Sequence, residues 1–304
     1  MVRLNTNSSV GPRLSTPSLR QTIKQSYILS SLYQELKSRI DPVYKRHPLI
    51  VYQMGKVGSE TIERSLASYD LGRPMYRVHS LVEENMYLDL RASNVTPREY
   101  FKRSRHLFLG KYLAREIARD LHRGHWKVVT MVRDPVAQNI SSFFQIADLL
   151  IPRFSERTQA NALPISELLD VFLQNYAPDG IYVNWFDVEM KPSFDVDVFE
   201  TPFPTDEGYA VYREPHVDLL LLRLEDVDRC APAAFREFLG LDDFRVQRKN
   251  EAEYKTYHRL YKAFREQAVF PRRYVDGVYG SKYARHFYSD EELAGFRAKL
   301  NVGD

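Results

Sequence analysis

Lys56 stands between two glycines in Gly55-Lys-Val-Gly-Ser-Glu-Thr61, directly after the apolar run Leu49–Met54. A glycine-bearing turn from a strand into a helix exposes backbone N–H groups. The helix dipole adds partial positive charge at the same point, so such a turn takes up phosphate or sulfate. Gly55 and Gly58 let the backbone approach an anion closely, Ser59 can cap the helix and offer a hydroxyl, and Lys56 adds a full charge. The lysine precedes the second glycine here, whereas the nucleotide triphosphatase loop G-x-x-x-x-G-K-[ST] has it after. A plain strand-to-helix turn with a solvated lysine is the alternative reading. A second segment of the same form is Val128-Val-Thr-Met-Val-Arg-Asp-Pro135. Asp134 is a natural helix cap and Pro135 a natural first helical residue. Arg133 falls at a strand's carboxyl end, where open α/β sheets bind ligands. Ser141 lies about two helical turns further on, within reach of the same anion. Pairing of Arg133 with a nearby carboxylate is the alternative. Two such segments on one chain suggest a nucleotide with two separate anionic ends.

The elements that must position these residues follow from hydrophobic periodicity. Apolar runs predict strands over 49–54, 75–81, 127–132 and 217–224. Helices are expected over about 22–40, 61–69, 108–123, 135–150, 165–176, 232–239 and 251–268, with a last one opened by the capping-box pair Ser289 and Glu292. Residues 177–216 read as irregular and rich in aromatics. Strands alternating with helices predict an α/β fold of three layers, with a mainly parallel sheet and a P-loop-like strand-loop-helix. Residues 1–20 are polar and read as a disordered arm, followed by one domain over 21–304.

Composition narrows the classes. A net charge of only +3 makes no bulk demand for nucleic acid, so any anion site must be local. The single cysteine, Cys230, excludes an intrachain disulfide framework and a cysteine-rich zinc site. No apolar run approaches the roughly 18 residues of a membrane span. His122 and His125 form the only close histidine pair, with no third metal ligand evident beside them. These features predict a soluble, cytoplasmic protein without a nucleic-acid partner or a membrane span.

With these residues in view, the chain resembles the sulfotransferase superfamily, which uses 3′-phosphoadenosine 5′-phosphosulfate (PAPS). Lys56-Val-Gly-Ser-Glu-Thr61 is similar to the loop K-x-G-[ST]-x-x that holds the donor's 5′-phosphosulfate. Arg133-Asp-Pro with Ser141 is similar to the 3′-phosphate motif, in which Arg and Ser stand eight apart. Leu219-Leu-Leu-Leu-Arg-Leu-Glu-Asp226, followed by Phe238-Leu-Gly240, resembles a later strand ending in Glu-Asp and its helix. Within the superfamily the chain looks like a bacterial branch of capsular polysaccharide synthesis proteins, through Asn184-Trp-Phe-Asp187 and Arg285-His-Phe-Tyr-Ser289. Two departures stand out. Glu60 places an acid inside the loop and must point away from an anion or weaken its binding. The basic-glycine loop that closes on the 3′-phosphate has no evident counterpart, and Arg248, Lys249 or Lys282 is the expected substitute.

The resemblance implies transfer of a sulfuryl group from PAPS to a hydroxyl, that of a carbohydrate or capsular polysaccharide, with no metal. The donor contacts expected from it are Gly55, Lys56, Val57, Gly58, Ser59, Glu60, Thr61, Arg133 and Ser141. Lys56 is expected to neutralise charge on the leaving oxygen, and His79, near a strand's carboxyl end, to act as general base, with Glu83 or Glu84 as alternatives. Trp185 is a candidate for stacking on an acceptor sugar and Glu83 for contacting it; a buried core tryptophan is the alternative. The rival readings are a P-loop-like kinase and a non-catalytic nucleotide-binding protein of polysaccharide assembly.

Overall fold

The computed structural model describes residues 46–86, 97–247 and 257–303, with helix residues 97–108 described in their backbone only. The expected arm at 1–20, the helix at 22–40, Arg248, Lys249 and the first part of the helix at 251–268 lie outside these residues.

Strand β1 (Leu49–Tyr52) is buried at every position, as a strand covered on both faces must be. It pairs in parallel with β2 (Met75–Val78) on one side and β3 (Trp126–Val132) on the other. β3 pairs in parallel with β5 (Val217–Arg223), and the antiparallel strand β4 (Tyr209–Arg213) closes the edge. The sheet order is β2-β1-β3-β5-β4. From β1 the chain therefore moves to one side to make β2 and returns on the other side to make β3. That reversal marks the carboxyl ends of β1 and β3 as the topological switch point, the place where open α/β sheets bind ligands.

Helices α1 (Ser59–Leu66), α2 (Glu83–Met86), α3 (Pro97–Asp120), α4 (Pro135–Leu150), α5 (Phe154–Gln159) and α6 (Ile165–Asn175) follow in order. Next come α7 (Ile181–Trp185), a single π-helical turn (Phe186–Met190) and α8 (Lys191–Phe194). After β5, a 3-10 turn (Leu224–Asp226) leads into α9 (Val227–Leu239), then α10 (His258–Gln267), α11 (Arg272–Tyr279), α12 (Lys282–Phe287) and α13 (Asp290–Arg297). Both faces of the sheet are covered. On β3, Trp126 packs edge-on against Phe194 of α8, and the next residue, Lys127, lies over the Phe238 ring of α9. Buried hydrophobic side chains form one cluster from Leu49 to Leu293. No helix among the described residues is long and apolar enough to cross a membrane.

The mainly parallel sheet agrees with the expectation from sequence. α4 occupies the predicted range, and Ser289 makes the full capping box with Glu292. The stretch 177–216 departs from it: α7, the π turn, α8 and β4 replace an irregular segment. These elements are short and take their conformation from tertiary contacts, so local periodicity carries little of them. Helix α9 begins at Val227, with Pro232 inside it, and a second small parallel sheet joins β6 (Val269–Pro271) to β7 (Asn301–Gly303).

Candidate functional site

The backbone of the loop after β1 alternates in handedness. Lys56 (φ 66°) and Gly58 (φ 92°) are left-handed, whereas neither Gly55 nor Val57 has a positive φ. Alternation of this kind is a backbone form from which successive N–H groups can converge on an anion. The backbone angle at Gly58 calls for glycine, and a Cβ there would also come within 2.7 Å of Leu224 Cδ1, the tip of a half-buried side chain that would have to shift. Gly58, and not Ser59, is the N-cap of α1, and the helix start carries no side-chain cap. Ser59 is the first helical residue, and its hydroxyl accepts a hydrogen bond from Arg77 (3.3 Å). Glu60 turns along the outside of α1 to pair with Arg64 at 3.2 Å, which answers the difficulty of an acid in the loop.

The second segment meets the first. Arg133 Nη1 donates to the Lys56 carbonyl at 3.0 Å, and Gln138 Nε2 donates to the Gly55 carbonyl at 2.8 Å. Gly55 also lies beneath Tyr182, whose hydroxyl shares a 2.6 Å hydrogen bond with Ser142. Asp134 caps α4 by accepting from the N–H groups of Val136 (3.0 Å) and Ala137 (3.4 Å), as its residue type predicts. Ser141 is half-buried on the same helix.

Tyrosines from the C-terminal helices brace the Arg133-Asp134 turn. The Tyr283 hydroxyl donates to the Arg133 carbonyl and accepts from its N–H, each at 2.9 Å. Tyr279 donates to Asp134 Oδ1 (3.1 Å). Tyr288 donates to Glu225 (3.0 Å), which in turn accepts from the Asp134 N–H (2.9 Å). Burial raises the pKa values of all three phenols, and so holds them as donors. Burial also raises the Asp134 carboxyl, against the opposing pull of its capping hydrogen bonds, Tyr279 and Arg133.

The Arg223 of the strand motif is 2% exposed. It is held by Asp226, by Glu292 (2.8 Å) and by the carbonyls of Thr205 (2.8 Å) and Phe287 (3.1 Å). Its place is in the framework, tying β5 to the C-terminal helices.

His79 directly follows β2, beside the loop after β1. Its Nδ1 lies 2.9 Å from the Gln53 carbonyl. A carbonyl only accepts, so Nδ1 carries the proton and the basic lone pair of the neutral ring is on Nε2. Glu83, at the start of α2, is largely exposed and pairs with Lys111 at 3.4 Å. Lys282 contacts Asp187 (3.2 Å) and stands 3.8 Å above the Phe199 ring. Trp185 corrects an expectation. It is 3% exposed and packs on Tyr52 and Phe186 in the core, so it offers no ring face to a sugar. His125 is paired with Asp218 at 3.0 Å, and no group of three or more His, Cys, Asp or Glu among the described residues could hold a metal ion.

Sequence reading missed Gln138, Tyr182, Tyr279, Tyr283 and the buried acid Glu189. Only Glu189 left a trace, as a charge in the aromatic run from Tyr182 to Phe194.

No curated protein and no solved structure matches the chain. Residues 161–289, which carry α7, the π turn, β5 and the bracing tyrosines but neither loop, match the model of a family described as "Putative capsular polysaccharide synthesis protein".

Proposed function

We propose that this protein transfers a sulfuryl group from PAPS to a hydroxyl of a carbohydrate. The observation that carries the reading is the junction of the two anion-type segments: Arg133 donates to the Lys56 carbonyl within a loop of alternating handedness. The loop that carries Lys56 and the strand end that carries Arg133 therefore meet, following two adjacent strands. That arrangement suits a nucleotide with an anion at each end. Among the described residues, Gln138 Oε1 and both amide atoms of Gln53 are buried without a hydrogen-bond partner beside the loop. The match of residues 161–289 supports a polysaccharide as the acceptor class.

In this reading the N–H groups of the loop and Lys56 hold the 5′ end of the donor, and Arg133 and Ser141 hold the 3′ phosphate. When bound, the donor supplies a sulfuryl group carried on a phosphate oxygen. Lys56 offsets the charge that builds on that oxygen, as preorganised cations do in phosphoryl transfer. His79 Nε2 takes the proton of the acceptor hydroxyl, and the hydrogen bond from Nδ1 to the Gln53 carbonyl keeps that nitrogen basic.

Calorimetric titration with 3′-phosphoadenosine 5′-phosphate, beside ATP and AMP, tests the donor assignment. The expected result is tight binding of the bisphosphate alone, lost in Arg133→Ala. No binding, or a preference for ATP with magnesium, overturns it. Binding without transfer to any acceptor, with His79→Ala indistinguishable from wild type, favours a nucleotide-binding protein that does no chemistry.

A further inference from the structure

Glu189 is a carboxylate inside the protein, 1% exposed. It stands on the π-helical turn between α7 and α8, with Phe186 and Met190 buried beside it and Val188 exposed. An isolated charge at such depth is costly, so its partners carry the explanation. Four groups donate to it: the Tyr52 hydroxyl, the Ser80 hydroxyl, and the N–H groups of Leu81 (2.9 Å) and Val82 (3.2 Å).

These partners have one thing in common. Tyr52 immediately precedes Gln53, whose carbonyl lies 2.9 Å from His79 Nδ1. Ser80, Leu81 and Val82 immediately follow His79. One carboxylate thus grips the chain just before the acceptor and just after the donor of the hydrogen bond that sets the His79 tautomer. The same segment is anchored beside the carboxylate by Asn85 Nδ2, which donates to the Val188 carbonyl (3.2 Å).

We propose that Glu189 is a positioning residue for His79, fixing the Nδ1–Gln53 hydrogen bond and so keeping Nε2 the basic nitrogen of the ring. The proposal rests on the reading of His79 as general base for its consequence in catalysis, but the coupling itself is a property of the protein alone. Supporting groups of this kind orient a functional histidine without touching substrate, and their loss costs about 10- to 100-fold where it has been measured at metal sites.

The experiment is nitrogen-detected NMR of the His79 ring in the full chain, comparing wild type with Glu189→Gln and with Ser80→Ala. The wild type should show a single neutral tautomer with the proton on Nδ1. Glu189→Gln replaces an acceptor oxygen by an N–H₂ donor facing other donors, and should give a mixture of tautomers and a displaced His79 titration. Ser80→Ala removes one of the four donors and should shift the population the same way by less; it serves if the first variant does not fold. In turnover, Glu189→Gln should lower kcat about 10- to 100-fold. Its pH profile should be displaced, while affinity for 3′-phosphoadenosine 5′-phosphate stays at the wild-type value. Folded variants with wild-type His79 spectra overturn the proposal. Failure of the wild type to bind the bisphosphate overturns the donor reading instead, and leaves the Glu189–His79 coupling to stand or fall on the spectra.

Discussion

The guanidinium of Arg133 donates to the carbonyl of Lys56 across 3.0 Å, joining two segments 77 residues apart in the chain. The contact fixes Arg133 at the edge of the loop that carries Lys56. Arg133→Ala removes this bond and the charge offered to the ligand together. A lost hydrogen bond to a charged group costs about 1.5–3 kcal/mol, so affinity for 3′-phosphoadenosine 5′-phosphate should fall by about 10- to 150-fold. Arg133→Lys should recover little, because an ammonium lacks the fork that reaches a carbonyl and a phosphate at once. Calorimetry on both variants checks this, and full recovery by lysine would contradict it.

Lys56 adopts φ 66°, a conformation that costs a non-glycine residue about 1–2 kcal/mol. Lys56→Gly should therefore be more stable than Lys56→Ala by about 1 kcal/mol, since both lose the ammonium and only one keeps the strain. Both should lose most of their turnover. Denaturant melts and a transfer assay on the pair separate the backbone effect from the charge effect.

Gly58 and Gly240 both have positive φ, but only Gly58 has a neighbour in the way, Leu224 Cδ1 at 2.7 Å from a built Cβ; nothing lies within 4 Å at Gly240. Gly58→Ala should cost about 1 kcal/mol more than Gly240→Ala, the low end of the overpacking range, because the Leu224 tip can shift. It should also weaken anion binding, which Gly240→Ala should leave alone. Thermal melts and bisphosphate titration of the two variants test the distinction.

Burial raises the Asp134 carboxyl above its ordinary range. The folded state therefore binds its proton more tightly than the unfolded chain does. This group's contribution to stability is fully present below the unfolded pKa of about 3.9 and is lost as pH rises through the folded value. Asp134→Asn keeps the Oδ1 that accepts from Val136, Ala137 and Tyr279 and has no charge to bury. Stability of Asp134→Asn relative to wild type should rise from pH 4 toward neutrality. Denaturant melts across that range give the sign directly.

Arg223 is buried with Asp226 and Glu292 on its guanidinium. Arg223→Met removes one partner and leaves the carboxylates behind, and such a break typically costs about 3–5 kcal/mol. The variant should unfold at markedly lower denaturant concentration. A surviving fold with unchanged midpoint would remove Arg223 from the framework.

The sequence by itself determined the strand-loop-helix segments at 49–62 and 128–141, because glycine position, Asp-Pro capping and unbroken apolar runs act within a few residues. Asp134 as cap, Pro135 as first helical residue and the Ser289 capping box were legible for that reason. Tertiary structure alone decided that β1 and β3 are neighbours, which brings Arg133 to Lys56, and that three tyrosines from the C-terminal helices brace the Arg133-Asp134 turn through its backbone, the Asp134 carboxylate and Glu225. It also decided that Trp185 is core, and that Glu189 lies next to residues more than 100 positions away in the chain. Burial and hydrogen-bond pairing between distant segments depend on how elements pack. A side chain's type states only what it is able to bind, and the fold chooses the partner.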